Sequence, residues 1–316
     1  MLRTSTWEQI GTDVTGEKYL DSVLEKSKLD YDVIKKPVFL PTANLYTGED
    51  EVVDVTEYTS IPNRFATVRK TDGHVYDVVS DRYEIIQNRD AFDFVNYMTD
   101  DIIFEKAGET ASGMVYIIAR MEEVNILGDS FTPHIIFRNG FSGLVRITAA
   151  ICPLRIVCQN QFNFAFKNTA NKITIKHTGN AYSKLEEARE SLKMCADYML
   201  ELNGMAEKYS TMHFDKFKLN AIINELFPVN DDSITEYKRT LLKESKMRFI
   251  NAYESDDNYD FRGTAWGLVN AYTDFITHKE PRSKKETRFE NNFIRSIDNN
   301  MNNIINIVDN YGNVAI

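Results

Sequence analysis

From Ser130 to Leu185 the chain contains no Asp or Glu. The run is 56 residues long, in a chain where 47 of 316 residues are acidic, so about eight carboxylates are expected there. The same stretch keeps Arg138, Arg146, Arg155, Lys167, Lys172, Lys176 and Lys184. Its formal charge is therefore +7, and because the whole chain carries −10 the remainder carries −17. Few folds tolerate such a segment. A central sheet buried on both faces excludes carboxylates because desolvating them is costly. Burying seven cations is costly too, so their retention points to a solvated positive surface with an anionic partner, nucleic acid or an acidic protein face.

The other side chains of the segment favour nucleic acid. His134 and His177 lie in it with Phe131, Phe137, Phe141, Phe162, Phe164, Phe166 and Tyr182, beside the amides of Asn139, Gln159, Asn160, Gln161, Asn163, Asn168, Asn171 and Asn180. Cations neutralise phosphate, rings stack on bases, and amides bond to base edges or sugars, as in a groove for single strands. The candidate contacts are Arg138, Arg146, Arg155, Lys167, Lys172, Lys176 and His177 for charge, Phe162, Phe164 and Tyr182 for stacking, and Gln159 and Asn160 for hydrogen bonding.

Composition bounds the class. Apolar residues make up 43 % and charged residues 27 %, the balance of a globular protein. There is no apolar run of 18 residues, so no membrane span is expected. Met1–Trp7 lacks the apolar stretch of a secretory signal. Cys152, Cys158 and Cys195 are too few and too spread for a disulfide framework, so a reducing cytoplasm is expected. The acidic remainder argues against a protein that coats nucleic acid through its whole surface.

Patterning divides the chain in two. Residues 1–180 read as a mixed α+β core domain, with antiparallel or mixed sheet and the basic segment at its centre; residues 181–316 read as a helical region packed on it. Tyr19, Leu20, Val23 and Leu24 mark a helix within 16–27, and Pro37 and Pro41 an extended connector. Arg64–Val79 reads as a hairpin turning at Asp72-Gly73. A strand to Ile86 precedes a short helix capped by Asn88 or Asp90. Phe104–Gly108 and Gly113–Met121 form a second hairpin, and Val124–Phe131, His134–Phe137 and Leu144–Ile151 further strands. Pro153 punctuates the path into Leu154–Val157, a helix is expected over Gln159–Phe166, and Lys172–Lys176 alternates as a strand. Helices follow at Lys184–Lys208, Asp215–Leu226, Ile234–Tyr253, Thr264–His278 and Phe289–Val308.

Catalytic and cofactor motifs are missing. There is no HExxH, CxxC, Gly-rich phosphate loop, calcium loop or nucleophile elbow, so neither metal nor cofactor is expected and the chain reads as non-catalytic. One helix carries a polar stripe: Asn270, Asp274 and His278 recur every four residues with Thr273 beside them, opposite Leu268, Tyr272, Phe275 and Ile276. That stripe suits an interhelical hydrogen-bond network or a ligand-contacting face.

Four stretches carry a resemblance. They are W-x-x-I-G-T (Trp7–Thr12) with SKLDYDVIKKP (Ser27–Pro37), VSDRYEIIQNRDAFDFV (Val79–Val95), PLRIVCQNQFNFA leading to IKHTGN (Pro153–Asn180), and GTAWGLVNAYTDFITH (Gly263–His278). Together and in this order they resemble the phage- and plasmid-borne family defined by the domain of unknown function 932. Glu8 stands where many relatives are expected to carry His. The resemblance implies an accessory protein of mobile DNA, encoded near genes for single-strand binding, recombination or evasion of host defence. Its Arg155–Asn160 motif lies inside the acid-free segment.

Two functions are therefore expected. The first is non-catalytic binding or annealing of single-stranded nucleic acid in mobile-element DNA metabolism, by a homo-oligomer; six cations on phosphates would give a salt slope of about −4. The alternative is a protein-binding effector whose acidic surface blocks a host defence complex by mimicking phosphate charge.

Overall fold

Apolar residues that alternate along 114–155 build a sheet with two apolar faces, and the other elements are arranged around it. The structure is a computed structural model that describes residues 10–42, 57–97, 102–155, 160–161, 172–179, 191–278 and 302–313. Its strands are β1 (Thr12–Asp13), β2 (Val33–Thr42), β3 (Glu57–Arg69), β4 (Val75–Ser80), β5 (Ile103–Glu109), β6 (Met114–Arg120), β7 (Val124–Ile126), β8 (Asp129–Gly140), β9 (Ile147–Arg155), β10 (Asn160–Gln161) and β11 (Lys172–Ile175). Its α-helices are α1 (Leu20–Lys26), α2 (Asn88–Phe92), α3 (Ser191–Ser210), α4 (Lys216–Leu226), α5 (Glu236–Tyr253), α6 (Ala265–Thr277) and α7 (Asn302–Asn313). The class is α+β, with antiparallel sheets in the N-terminal and central region and helices toward the C-terminus.

The large sheet has the order β1-β5-β6-β8-β9-β10, with β11 also on β9 and β7 also on β8; the small sheet is β2-β3-β4. Every described pairing is antiparallel. Period-2 alternation sorts the side chains of the large sheet. Val115, Ile117, Ile135, Phe137, Ile147 and Ile151 face the main core, which extends through Tyr198, Leu202, Phe249, Trp266 and Leu268 to Val308. Tyr116, Ile118, Ile136, Cys152 and Leu154 turn to the opposite face and form a smaller cluster with Ile10 and Met114. The Trp7–Thr12 motif supplies Ile10 to that cluster, and Gly11 follows it with φ +70°, where a Cβ would stand 2.5 Å from the Tyr116 hydroxyl.

The small sheet is tied to the large one by a polar knot. Arg69 on β3 donates from Nη2 to both carboxylate oxygens of Glu109 on β5, each at 2.8 Å, and from Nε to the Tyr76 hydroxyl at 2.9 Å. Tyr76 donates to the Tyr31 hydroxyl at 3.0 Å, and Tyr31 to Glu109 at 3.1 Å. The Val79–Val95 motif makes a second seam. Gln87 exchanges two hydrogen bonds with the Val33 backbone, and the Asn88 amide donates to the Leu29 carbonyl and accepts from Asn139.

Several sequence expectations change. Pro37 and Pro41 sit in β2, a paired strand at the edge of its sheet, where a missing N–H is tolerated. Pro153 does not stop β9; it lies opposite Pro133, a register that only a non-hydrogen-bonded pair of an antiparallel ladder allows. Asn88 is the first helical residue of α2 rather than its cap, which is Gln87. Of the helix expected over Gln159–Phe166, Asn160 and Gln161 instead pair with Arg155 and Leu154 as β10, and the rest lies outside the described residues. The hairpins at Asp72-Gly73 and at Gly108–Gly113 form as expected.

Helix α6 differs most in character. It is buried on nearly all sides, not on one stripe. Thr264 caps it by accepting the Gly267 N–H at 3.1 Å, and a Cβ on Gly267 would stand 2.1 Å from the Phe261 carbonyl oxygen. In an exposed helix Gly→Ala gains about 1 kcal/mol. Here Gly267→Ala should lose about 1–3 kcal/mol through overpacking. Urea unfolding of the variant checks the sign.

Candidate functional site

Four cations from four separate segments meet where the two sheets adjoin. Arg64 lies on β3 opposite Ser80 of β4. Arg82 follows β4, Arg146 immediately precedes β9, and Lys176 immediately follows β11. Together with Val78, Val79, Ser80, Tyr83, Gly143, Val145, His177 and Thr178 they line a cleft of about 480 Å³. Among the described residues no carboxylate lines it. All four cations are exposed. Among the described residues none of the four is within ion-pair distance of a carboxylate. On the other side of Arg82 and Tyr83 a hollow of about 410 Å³ is of mixed charge, with Lys35, Asp81 and Glu84.

The floor of the cleft is fixed by local chemistry. Tyr83 stacks on His177 at 5.1 Å between ring centroids and 17° between planes. Its hydroxyl donates to the Gly140 carbonyl at 3.2 Å. His177 Nδ1 lies 3.2 Å from the Glu84 carbonyl oxygen, which accepts only, so Nδ1 carries the proton. Nε2 is then a bare acceptor, buried and without a hydrogen-bond partner. At 5 % exposure the ring resists protonation, and burial pushes its pKa down to about 4 against the opposing pull of the Glu84 carbonyl. Asp77 borders the cleft, where its half-buried carboxylate accepts the Gly143 N–H at 3.0 Å and the Val78 N–H at 2.7 Å.

Arg146 also belongs to a row of cations on the large sheet. Arg138 lies opposite Thr148 and donates to its hydroxyl at 2.9 Å. Lys172 lies opposite Ala150, two residues further along β9. Burial, followed by repulsion from Arg146, lowers the Arg138 pKa. Lys172 is lowered by burial, then by Arg138 and Arg146. These groups hold their charge against their surroundings, and an anion placed here would relieve the repulsion.

The structure thus brings together Arg138, Arg146, Lys172, Lys176 and His177 of the expected contacts. It removes Arg155. That guanidinium is 3 % exposed, donates to Asp129 Oδ2 from Nε at 2.8 Å and from Nη2 at 2.7 Å, and reaches the Asp257 carbonyl at 2.8 Å. Burial raises the Asp129 pKa; Arg155 lowers it, while Asp257 and Asp260 raise it further. Arg155 is a buried clamp between β9, β8 and the 3-10 turn Asp256–Phe261, shut off from any phosphate. Gln159, Phe162, Phe164, Lys167 and Tyr182 lie outside the described residues, and of Asn160 only the backbone, in β10, is described.

The α6 stripe is not an open face. Asn270 is 1 % exposed and Thr273 is fully buried, its hydroxyl donating to the Asn270 carbonyl at 2.8 Å. Asp274 and His278 are half-buried, joined by the His278 N–H to the Asp274 carbonyl at 2.9 Å. Both side-chain atoms of the Asn270 amide are buried without hydrogen-bond partners. The cap at Thr264 and apolar packing on both sides help to orient this helix.

Sequence reasoning missed Arg64, Arg82 and Tyr83, which lie outside the acid-free segment. A signal was present for two of them, since Arg82-Tyr83 opens the Val79–Val95 motif. Among the described residues no three His, Cys, Asp or Glu side chains converge as a metal site, and no helix is long and apolar enough to cross a membrane.

Residues 75–302 match the family model for the domain of unknown function DUF932, and the chain belongs to that family. No curated protein and no solved structure matches it. The matched span holds Arg82, Arg146, Lys176 and His177, whereas Arg64 precedes it.

Two outcomes follow from the burial of Arg155 and His177. Arg155→Met should cost about 3–5 kcal/mol in chemical unfolding, because Asp129 is left buried and unpaired. The second outcome concerns pH. An unfolded imidazole takes a proton near pH 6.5 and the folded one only near pH 4, so acidification across that interval favours the unfolded chain. Between pH 7 and pH 4 the native protein should lose about 3 kcal/mol more stability than His177→Gln, measured by urea midpoints at each pH.

Proposed function

We propose that the protein is a non-catalytic nucleic-acid-binding protein that holds single strands in the Arg64–Arg82–Arg146–Lys176 cleft. One observation carries this reading: four exposed cations converge on a single concavity with no carboxylate, among the described residues, in its lining or within ion-pair reach. Some exposed cations elsewhere pair with acids, Lys26 with Glu17, Lys208 with Asp309 and Arg89 with Asp30, whereas here four cations share one concavity. An unpaired cluster is held by the fold at the expense of repulsion, which a polyanion removes.

The size of the cleft favours single strands. A hollow of about 480 Å³ seats phosphates with a sugar or base, not the girth of a duplex. Ser80 and Thr178 add hydroxyl groups at its lining. The bare Nε2 of His177 can accept from a ligand hydroxyl or amine that displaces the side chains covering it. The acidic remainder keeps binding confined to this region. A role in the DNA metabolism of mobile elements is consistent with the family resemblance.

Anisotropy titration of labelled oligonucleotides tests the proposal. Four phosphate contacts on a single strand give a slope of log K against log salt of about −3. Arg82→Glu or Arg146→Glu should weaken binding about tenfold at low salt, and Arg155→Met, where folded, should leave the slope unchanged. No binding at low salt, or a flat salt dependence, overturns the reading.

A further inference from the structure

Both rings that line the cleft are used by the fold. Tyr83 and His177 are buried and stacked on each other, so neither presents an open face to a base. Among the described residues, the apolar surface open to water at the cleft belongs to Val78 and Leu144. Val78 lines the cleft and is 48 % exposed. Leu144 is 92 % exposed, more than any other large apolar side chain described. It stands between Gly143 and the pair Val145-Arg146, all three of which line the cleft.

The neighbours of Leu144 hold it there. On one side the Gly143 N–H donates to Asp77 Oδ2 at 3.0 Å. On the other the Val145 N–H donates to the Ser142 carbonyl at 3.3 Å, and the Val145 side chain packs so closely over Gly140 that a Cβ there would stand 2.6 Å from Val145 Cγ1. The turn is thus fixed without help from the leucine side chain. A lone exposed leucine is common on protein surfaces. This one differs in what surrounds it, four exposed cations with no described carboxylate within ion-pair distance. A ligand drawn by those cations is anionic, and one that also covers Leu144 carries apolar surface beside its anionic groups. A single strand has this alternation of phosphate and base. An anionic membrane offers it too, but one leucine inserts weakly and the same lipid charge repels a chain of net charge −10.

We propose that Leu144 is a base-contacting residue of the cleft: phosphates lie on Arg64, Arg82, Arg146 and Lys176 while a base of the same strand packs on the Leu144 side chain. The inference rests on the reading of the cleft as a single-strand site, and it adds the contact that separates a strand with bases from a bare polyphosphate. Phosphate contacts place the strand, and they are lost with salt. The leucine contact is apolar. It tolerates any base and is insensitive to salt, so it adds affinity without reading sequence.

Anisotropy titrations of the full chain with labelled oligothymidylate and with an abasic strand of the same length test this. Leu144→Ser removes an exposed side chain, so its urea midpoint should match that of the native protein. It should weaken oligothymidylate binding about fivefold, keep the salt slope at about −3, and bind the abasic strand as the native protein does. Leu144→Trp should bind oligothymidylate at least as tightly as the native protein, with the added indole emission quenched by the bases. Arg146→Glu should weaken both strands alike. Equal oligothymidylate binding by the native protein and Leu144→Ser, or an equal loss on both strands, overturns the inference and leaves the cleft reading standing. Vesicles of phosphatidylcholine with phosphatidylserine form a third arm: native binding to them that Leu144→Ser abolishes, with oligothymidylate binding unchanged, overturns the inference in favour of a membrane. A native protein that binds neither strand at low salt removes the cleft reading, and the inference with it.

Discussion

The pairing of β8 with β9, buried on both faces, is the constraint on which the rest of the molecule depends. Every residue of β9 is buried, and β8 is buried from Phe131 to Phe137. One face closes on the helices and the other on the small cluster around Tyr116 and Ile118. A carboxylate at any of these positions would lose its hydration with no partner in reach. That accounts for the absence of acids from Phe131 to Phe137 and from Ile147 to Arg155. Where a charge does enter this region at Arg155, an acid just ahead of the acid-free run, Asp129, comes with it. Burial does not explain the remaining part: Arg146 and Lys176 stand in water at the ends of β9 and β11, with no described carboxylate within ion-pair distance.

The cleft exists because the small sheet is held at a fixed angle to the large one. The Arg69–Glu109–Tyr76–Tyr31 knot fixes one side of this junction. On the other, the Thr67 hydroxyl donates to the Phe141 carbonyl at 2.7 Å and Asp77 holds Gly143. These bonds are short-range and directional, so they set the spacing between Arg64 and Arg82 on one side and Arg146 and Lys176 on the other. Burial then makes His177 a neutral floor rather than a fifth cation. Among the described residues the charge of the cleft therefore comes from Arg64, Arg82, Arg146 and Lys176.

Helix α6 shows how a polar pattern misleads when tertiary packing is tight. Asn270 and Thr273 follow a spacing that in an isolated helix marks the wet side. Here β10, the 3-10 turn, α3, α5 and α7 all pack on the helix, so even its polar residues are enclosed. Gly267 permits the approach of the turn at Phe261, and Asn270 is left with an unsatisfied amide. The helix is thus a hub of packing that ties the C-terminal helices to the sheet.

By itself the sequence determined the secondary structure where the signal is local. Asp72-Gly73 specifies a turn, the alternation of 114–120 specifies a strand, and Asp215, Thr235 and Thr264 cap helices by accepting an N–H three positions on. It also marked the cationic segment, because charge is a property of composition. Only the tertiary structure decided which cations are usable. Arg138, Arg146 and Arg155 look alike in sequence, yet one is half-buried against Thr148, one is open, and one is clamped by Asp129. Arg64 and Arg82 join the cleft from outside the segment through strand register. The reason is physical: hydration and charge pairing depend on distances between residues far apart in the chain, which β-sheet register sets and local pattern does not record.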